Sequence, residues 1–272
     1  MTKYLVFTDL DGTLLDHHTY SYDAAIPALT ALKNSGSHII FNTSKTYVES
    51  RNLQLELGLE FPLIVENGAA VFLPKSICGE PPADAIEHPE YWLKTFTQER
   101  QHWLVILDKM KPAWGHLFTH FEMLGIQEIM DYTGLSIEQC QYAKTRLFGE
   151  PILWRGSEEQ KLAFISELKS FGAEPLQGGR FLHLCGHCNK GKAMQWLGQH
   201  YRDFFSNQQY TTIALGDGAN DIAMLDIADI AVQIKSPAYD YPHLNRKEGV
   251  YQTQNEGPAG WNEAIFSLCD LT

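Results

Sequence analysis

The chain has 272 residues and 44% hydrophobic content, enough for one large domain or for a core domain carrying a second one. Its formal net charge of -12 and sequence pI near 5.3 set up a field that repels phosphate backbones and anionic bilayers, which argues against nucleic-acid and membrane partners. The opening apolar run Tyr4-Leu5-Val6-Phe7 is too short for a signal peptide, and no apolar stretch reaches 18 residues. Five scattered cysteines (Cys78, Cys140, Cys185, Cys188, Cys269) do not form a disulfide framework, so a reduced, cytoplasmic protein is expected.

The first stretch alternates strand and helix signals, the pattern of a parallel sheet with crossover helices. Leu5 to Thr8 reads as a buried strand. Ser21 is placed to cap a helix whose apolar positions include Ile26, Leu29 and Leu32, with Gly36 as its stop. His38 to Phe41 is the next strand, followed by a helix from about Thr46 to Leu57 and a strand Leu63 to Val65. Asn67-Gly68 marks a tight turn into Ala70-Val71-Phe72.

From Pro81-Pro82 the texture changes, and a second domain is expected over residues 83–187. Ser136 with Gln139 and Ser157 with Gln160 match capping boxes, so helices start there. Ile152 to Trp154 reads as a strand, and Ala173 to Leu176 with Arg180 to Leu184 as a hairpin joined by Gly178-Gly179, which together make a small α+β domain. Alternation resumes at Lys190, with a helix to about Tyr201, a strand Thr212 to Leu215, a helix after Asn220 and a strand Ile230 to Ile234. The core is therefore discontinuous, 1–82 and 188–272, with the middle segment inserted into it.

In parallel α/β sheets, ligands bind at the carboxyl ends of the strands. Three polar clusters fall there: Asp9 to Thr13, Asn42 to Lys45, and Gly216 to Asp221. Asp9 and Asp11, two apart with Gly12 letting the chain turn beneath them, can face one site, and carboxylates this close need a cation or a shared proton. Asp217 supplies a third acid, so Asp9, Asp11 and Asp217 are the candidate ligands of Mg²⁺, which favours oxygen donors. Asp221 stands behind them. Phosphoryl transfer fits this set, because its transition state asks mainly for positioning and charge neutralisation. Asp9 would attack phosphorus, Asp11 would protonate the departing alkoxide and then activate water, Thr43 would bond a phosphoryl oxygen, and Lys190 would neutralise charge on it.

These residues resemble, in order, the motifs of the haloacid dehalogenase superfamily: Asp9-Leu10-Asp11-Gly12-Thr13, Thr43, Lys190-Gly191 and Gly216-Asp217-Gly218-Ala219-Asn220-Asp221. The resemblance implies a Rossmann-like core, Mg²⁺ and an aspartyl-phosphate intermediate, and the inserted segment resembles a C2-type cap. Within that subgroup the chain is similar to the mannosyl-3-phosphoglycerate phosphatases, on Thr43-Ser44-Lys45-Thr46, Glu66-Asn67-Gly68-Ala69-Ala70, Arg146 to Pro151 and Gly178 to Leu184. The Cys185 to Cys188 stretch departs from that pattern.

A substrate of this kind is an anionic phosphate ester that also carries a carboxylate and sugar hydroxyls. Arg146 and Arg180 are candidates for the carboxylate, Glu66 and Glu150 for the hydroxyls, with Lys45, Asn67 and Asn220 completing the binding set. Blander readings stand beside these: Arg146 pairing with Glu150 on a helix face, Glu66-Asn67 as a hairpin turn, and Lys192 competing with Lys190. His183, Cys185, His187 and Cys188 form a compact set of possible metal or redox ligands, although a strand would point successive side chains apart. A sucrose-phosphate type phosphatase, a phosphomannomutase-like transferase and a sugar-phosphate binding regulator remain as alternatives.

Overall fold

A computed structural model describes residues 2–177, 180–204 and 209–269. In chain order the elements are β1 (Tyr4–Thr8), α1 (Ile26–Asn34), β2 (His38–Asn42), α2 (Tyr47–Glu56), β3 (Leu63–Val65), β4 (Ala70–Pro74), β5 (Ile86–Glu87), β6 (Tyr91–Thr95), α3 (Arg100–Trp114) and β7 (Phe118–His120). There follow α4 (Ile126–Thr133), α5 (Ile137–Lys144), β8 (Glu150–Trp154), α6 (Glu158–Ser170), β9 (Leu176–Gln177), β10 (Leu182–Leu184), α7 (Lys190–Phe204), β11 (Thr211–Gly216), α8 (Ile222–Leu225), β12 (Ile230–Lys235), β13 (Val250–Glu256) and α9 (Gly257–Leu268).

Nine strands form the large sheet in the order β13-β12-β11-β1-β2-β3-β4-β6-β5. Pairing is parallel from β13 through to β3 and antiparallel from β3 onward. A parallel strand covered on both faces has no solvent side, which is why β1 is an unbroken buried run. Its side chains still alternate: Val6 joins the cluster containing Leu29, Leu32, Trp261 and Ile265, while Leu5 and Phe7 join the one containing Met194, Leu197, Tyr201 and Met224. Phe7 lies level with Ala214 of β11 and Ile40 of β2, so the carboxyl ends of these three strands open onto one crevice.

The inserted segment builds a separate antiparallel sheet, β7-β8-β10-β9. Helices α3 and α6 cover one face, packing Trp103, Ile106, Leu107, Phe164 and Leu168 against Ile152, Leu182 and Leu184. Helices α4 and α5 contribute Ile129, Cys140 and Ala143 to a second cluster with Phe121 and Phe181. Both serine capping boxes form as read: Ser136 and Ser157 each accept the N–H of the glutamine three residues on at 3.2 Å, and each glutamine returns the bond at 2.9 Å. A cap of this kind is worth about 1 kcal/mol.

Two local expectations change. Ser21 bonds the N–H of Asp23 at 3.1 Å, but a 3-10 turn over Asp23–Ala25 precedes the α-helix, which starts at Ile26 with Pro27 in its first turn. Of strands β5 and β6, placed with the insertion by the boundary at 83, β6 pairs with β4 and β5 with β6, so both extend the large sheet. Tyr91 to Thr95 answers Pro74 to Ala70 residue for residue, a match that sequence texture does not reveal. The Gly178-Gly179 turn lies outside the described residues. The chain crosses to the insertion and back through adjacent segments, tied where Gly186 N–H donates to Thr97 Oγ1 at 3.0 Å.

Candidate active site

The crevice gathers three of the four acids read from the motifs, Asp9, Asp217 and Asp221. Asp9 follows β1 directly, and its N–H donates to Leu215 O of β11 at 2.9 Å, which extends the sheet pairing by one residue and fixes where its carboxylate begins. The chain then turns tightly through Leu10 to Leu15, with Thr13 and Leu15 N–H both bonding Leu10 O. Gly12 makes the turn feasible: its φ is +76°, and a Cβ there would lie 2.6 Å from Asp217 Oδ2.

Lys190, the first residue of α7, is fully buried and sits between two carboxylates, with Nζ 2.8 Å from Asp9 Oδ1 and 2.5 Å from Asp221 Oδ1. Burial opposes its charge, but Asp221 and Asp9 outweigh that and hold the ammonium above the ordinary lysine range. Lys192 bonds His187 O at the surface, so it is Lys190 that reaches Asp9. The backbone carbonyl of Lys190 is itself held by Asn42 Nδ2 at 3.1 Å, a contact with no sequence signal.

Among the described residues, Asp9, Asp217 and Asp221 are the group of metal-capable side chains that converge, with ligand atoms within 4.8 Å of one another. Asp221 is heavily engaged: Oδ1 takes Lys190, and Oδ2 accepts the N–H groups of Asp217 and Gly218 at 3.1 and 3.0 Å. Asp217 accepts a long bond from Thr13 Oγ1, 3.3 Å, and is also hydrogen-bonded by Ser236. Burial raises the Asp9 carboxyl to about 8 despite Lys190, with Asp221 and Asp217 adding to the shift. Burial and Asp221 likewise raise Asp217 to about 7. Oxygen donors that crowd one another to this degree suit a hard divalent cation. The Asp11 carboxylate lies outside this group. It is partly exposed and turns to Lys45, Nζ to Oδ1 2.9 Å.

The second polar cluster brackets the same crevice. Thr43 is buried at the end of β2; its hydroxyl accepts Lys45 N–H at 3.1 Å and its carbonyl accepts Asn67 N–H at 2.9 Å. Lys45 also lies 3.7 Å from Glu49, the residue that completes the Thr46 capping box of α2. Asn220 Nδ2 donates to Asn67 Oδ1 at 3.1 Å, bridging two of the loops. The helix expected after Asn220 is short, a 3-10 turn followed by the four residues of α8. Tyr20, which the sequence reading passed over, packs against both the core and the inserted domain with φ +58°, its ring 5.2 Å from Lys45 Nζ. Only that backbone outlier distinguishes it.

The residues expected to hold the rest of the substrate are placed differently from one another. Glu66 is buried, and its two oxygens accept three backbone N–H groups, from Leu147, Phe148 and Gly149. Arg146 directs both terminal nitrogens at Ser44 O, 3.2 and 3.1 Å, and lies 3.8 Å from Glu66. Glu150 is buried on β8, where His120 Nδ1 (2.7 Å), Arg100 Nε (2.6 Å) and the N–H of Glu122 (2.7 Å) saturate it. Arg146 and Glu150 are thus not partners on a helix face. Arg180 is exposed, donates to Tyr132 O, and acts electrostatically on the Tyr20 phenol together with Asp11 and Lys45. Among the described residues His183, Cys185, His187 and Cys188 do not gather as one ligand set: Cys185 bonds Glu174 O and the Cys188 thiol, and exposed His187 faces the Glu174 carboxylate at 3.5 Å.

The family model described as haloacid dehalogenase-like hydrolase matches residues 6–109 and 184–239, which takes in Asp9, Thr43, Lys190 and Asp217. The chain belongs to the haloacid dehalogenase-like hydrolase family. It is 36% identical over 266 residues to the glucosyl-3-phosphoglycerate/mannosyl-3-phosphoglycerate phosphatase of Methanococcoides burtonii, covering 98% of this chain and 97% of that one. Solved structures share the fold at lower identity. A haloacid dehalogenase subclass IIB sugar phosphatase, BT4131, matches at 18% identity with TM-score 0.64, over 97% of this chain and 98% of that one. The sucrose-phosphatase of Synechocystis sp. PCC6803 matches at 18% with TM-score 0.57, over 98% of both chains. As a member of this family the chain is a phosphoric monoester hydrolase, with a mixed α/β core and the second sheet inserted between β6 and α7. No helix among its described residues is long and apolar enough to cross a membrane.

Proposed function

We propose that the chain hydrolyses a glycosyl-3-phosphoglycerate, mannosyl or glucosyl, to the glycosylglycerate and phosphate, through an aspartyl phosphate on Asp9 and with Mg²⁺ as cofactor. The observation that carries the chemistry is Asp9, buried at a strand end with Lys190 2.8 Å from its carboxylate. Lys190 opposes the burial that raises the Asp9 carboxyl and orients it for in-line attack, and it offers positive charge to the phosphoryl oxygens as they gain electron density. Asp11, two residues on and partly exposed toward Lys45, is the group that reaches solvent and the leaving oxygen. It donates its proton to the departing alkoxide and later takes one from the water that cleaves the acyl phosphate. The Thr43 hydroxyl and the loops bridged by Asn67 and Asn220 cradle the phosphoryl group from the other side.

Asp9 and Asp217 are the ligands the geometry favours for Mg²⁺, with Asp221 fixing Asp217 and Gly218 through their N–H groups. Bound there, the cation would neutralise the crowded carboxylates and draw an anionic ester to an acidic site. The glycosyl-3-phosphoglycerate assignment is supported by the 36% identity to the archaeal relative over nearly the whole of both chains. Arg180, exposed beside Tyr20, is the candidate for the glycerate carboxylate. Five buried cysteines, none of them in a disulfide, suit a reducing, cytoplasmic setting.

A phosphate-release panel tests this reading: glucosyl- and mannosyl-3-phosphoglycerate, sucrose phosphate and hexose phosphates, with wild type and Asp9→Asn. The expected result is the highest kcat/KM on a glycosyl-3-phosphoglycerate and no turnover by Asp9→Asn. Preference for sucrose phosphate, or release of an isomerised sugar phosphate in place of inorganic phosphate, would overturn it.

A further inference from the structure

Glu66 opens the turn between β3 and β4, and three successive residues there, Glu66, Asn67 and Gly68, have φ of +48°, +61° and +83°. Two non-glycine residues in the left-handed region are a conformational burden that persists only where the surroundings hold it. Here they hold it on every side. Glu66 N–H donates to Lys45 O at 3.0 Å, and Asn67 N–H to Thr43 O at 2.9 Å. A Cβ on Gly68 would lie 2.2 Å from Asn189 O, so this turn lies flat against the peptide that leads into Lys190. The turn therefore touches the loops that carry Thr43, Lys45, Lys190 and Asn220.

Its one charged side chain goes elsewhere. The Glu66 carboxylate, 3% exposed as a residue, reaches the inserted domain and accepts Leu147 N–H at 2.8 Å on one oxygen, and Phe148 and Gly149 N–H at 3.1 and 2.7 Å on the other. Gly149 leaves little slack, since a Cβ there would stand 3.4 Å from both Glu66 Oε2 and Leu184 O. Flanking contacts tie the same stretch to the same core loops: Arg146 bonds Ser44 O, and Thr46 Oγ1 bonds Tyr142 O at 3.1 Å. The inserted domain thus rests, through residues 142–149, on the loops that bear the phosphate-side residues.

We infer that Glu66 is a positioning residue that anchors the inserted domain over the catalytic crevice, and that it governs the handling of substrates large enough to reach that domain. Its carboxylate is buried and committed to three backbone amides rather than open to a sugar hydroxyl. Three charge-assisted bonds from consecutive amides define one docking position for the inserted domain against the turn that carries Glu66. A small ester held only by Asp9, Thr43 and Lys190 is indifferent to where the domain docks, whereas a substrate spanning both is not. The enzymatic half of this inference rests on the proposed function, and the docking half does not.

Glu66→Gln tests both halves, because it keeps the shape but turns an amide N–H₂ toward at least one backbone N–H. In the variant, the amides of Leu147, Phe148 and Gly149 should exchange with deuterium at least about tenfold faster than in wild type, by NMR. KM for glycosyl-3-phosphoglycerate should rise about tenfold or more, while kcat/KM for p-nitrophenyl phosphate changes less than about threefold. Unchanged exchange at the three amides, or equal losses on the two substrates, would overturn the inference. If wild type ignores glycosyl-3-phosphoglycerate, the substrate assignment falls and the exchange readout alone decides the anchor. Should Glu66→Gln fail to fold, wild type still discriminates: exchange at the three amides as slow as in β8 supports the anchor, and exchange at the rate of an exposed loop refutes it.

Discussion

Replacing Lys190 with methionine isolates what its ammonium does. The side chain is fully buried, its charge lies 2.8 Å from Asp9 and 2.5 Å from Asp221, and Asp217 is close behind. Methionine fills much of the volume but leaves two buried carboxylates facing each other without a counter-charge. Removing one partner from a buried ion pair costs about 3–5 kcal/mol. For a chain of this size that lowers the melting temperature by roughly 6–20 °C, and a native state with a stability of about 5–15 kcal/mol survives it. Urea unfolding at pH 8 in chelator should report the loss directly. Adding Asp221→Asn should return at least about 1 kcal/mol, since it removes one of the orphaned charges, and the double mutant will be clearly non-additive. Turnover of p-nitrophenyl phosphate should fall by about a hundredfold or more, the scale of losing one positioned electrostatic donor. A stability loss under about 1 kcal/mol, or simple additivity with Asp221→Asn, would refute the view of Lys190 as the counter-ion of both acids.

Two further outcomes follow from the same acids. Asp9 and Asp217, raised to about 8 and about 7, keep protons in the folded state that the unfolded chain releases near pH 4. Their contribution to stability is therefore largest at acid pH and is lost as pH climbs toward 8. Thermal melts in chelator from pH 5 to 8.5 should show this as a falling component that Mg²⁺ removes, and a metal-free melting temperature that rises throughout would contradict the crowding. Gly12→Ala forces a Cβ to within 2.6 Å of Asp217 Oδ2 at a φ of +76°, so Mg²⁺ affinity by calorimetry should weaken at least about tenfold with the far-ultraviolet spectrum unchanged.

Much of the candidate site was legible in the sequence because its acids are placed by local turns. Asp9, Asp11 and Gly12 sit within one turn, Asp217 and Asp221 within another, and buried parallel strands announce themselves as apolar runs ending in polar clusters. What remained hidden depends on partners far along the chain. Nothing in the spacing pairs Lys190 with Asp221, 31 residues on, or places the Glu66 carboxylate on amides 81 to 83 residues away. Glu150 looked like a free acid because Arg100 and His120, which saturate it, come from α3 and β7. Strands β5 and β6 were read into the insertion because Pro81-Pro82 suggested a break, whereas backbone pairing with β4 continues the large sheet past it.

The parallel pairing of β1 with β11 sets Tyr4 beside Thr211. On the ribosome, the strand that carries Asp9 is made at the outset, yet one of its two neighbours emerges only after most of the chain. The inserted sheet, whose strands all lie between Phe118 and Leu184, has its full complement of partners well before that. Synthesis therefore delivers a finished lid to an unfinished base, and β1 waits with one exposed edge until β11 arrives. The last strands to be made complete the crevice, so a truncated product lacking them has no assembled Asp9 site with which to act on phosphate esters.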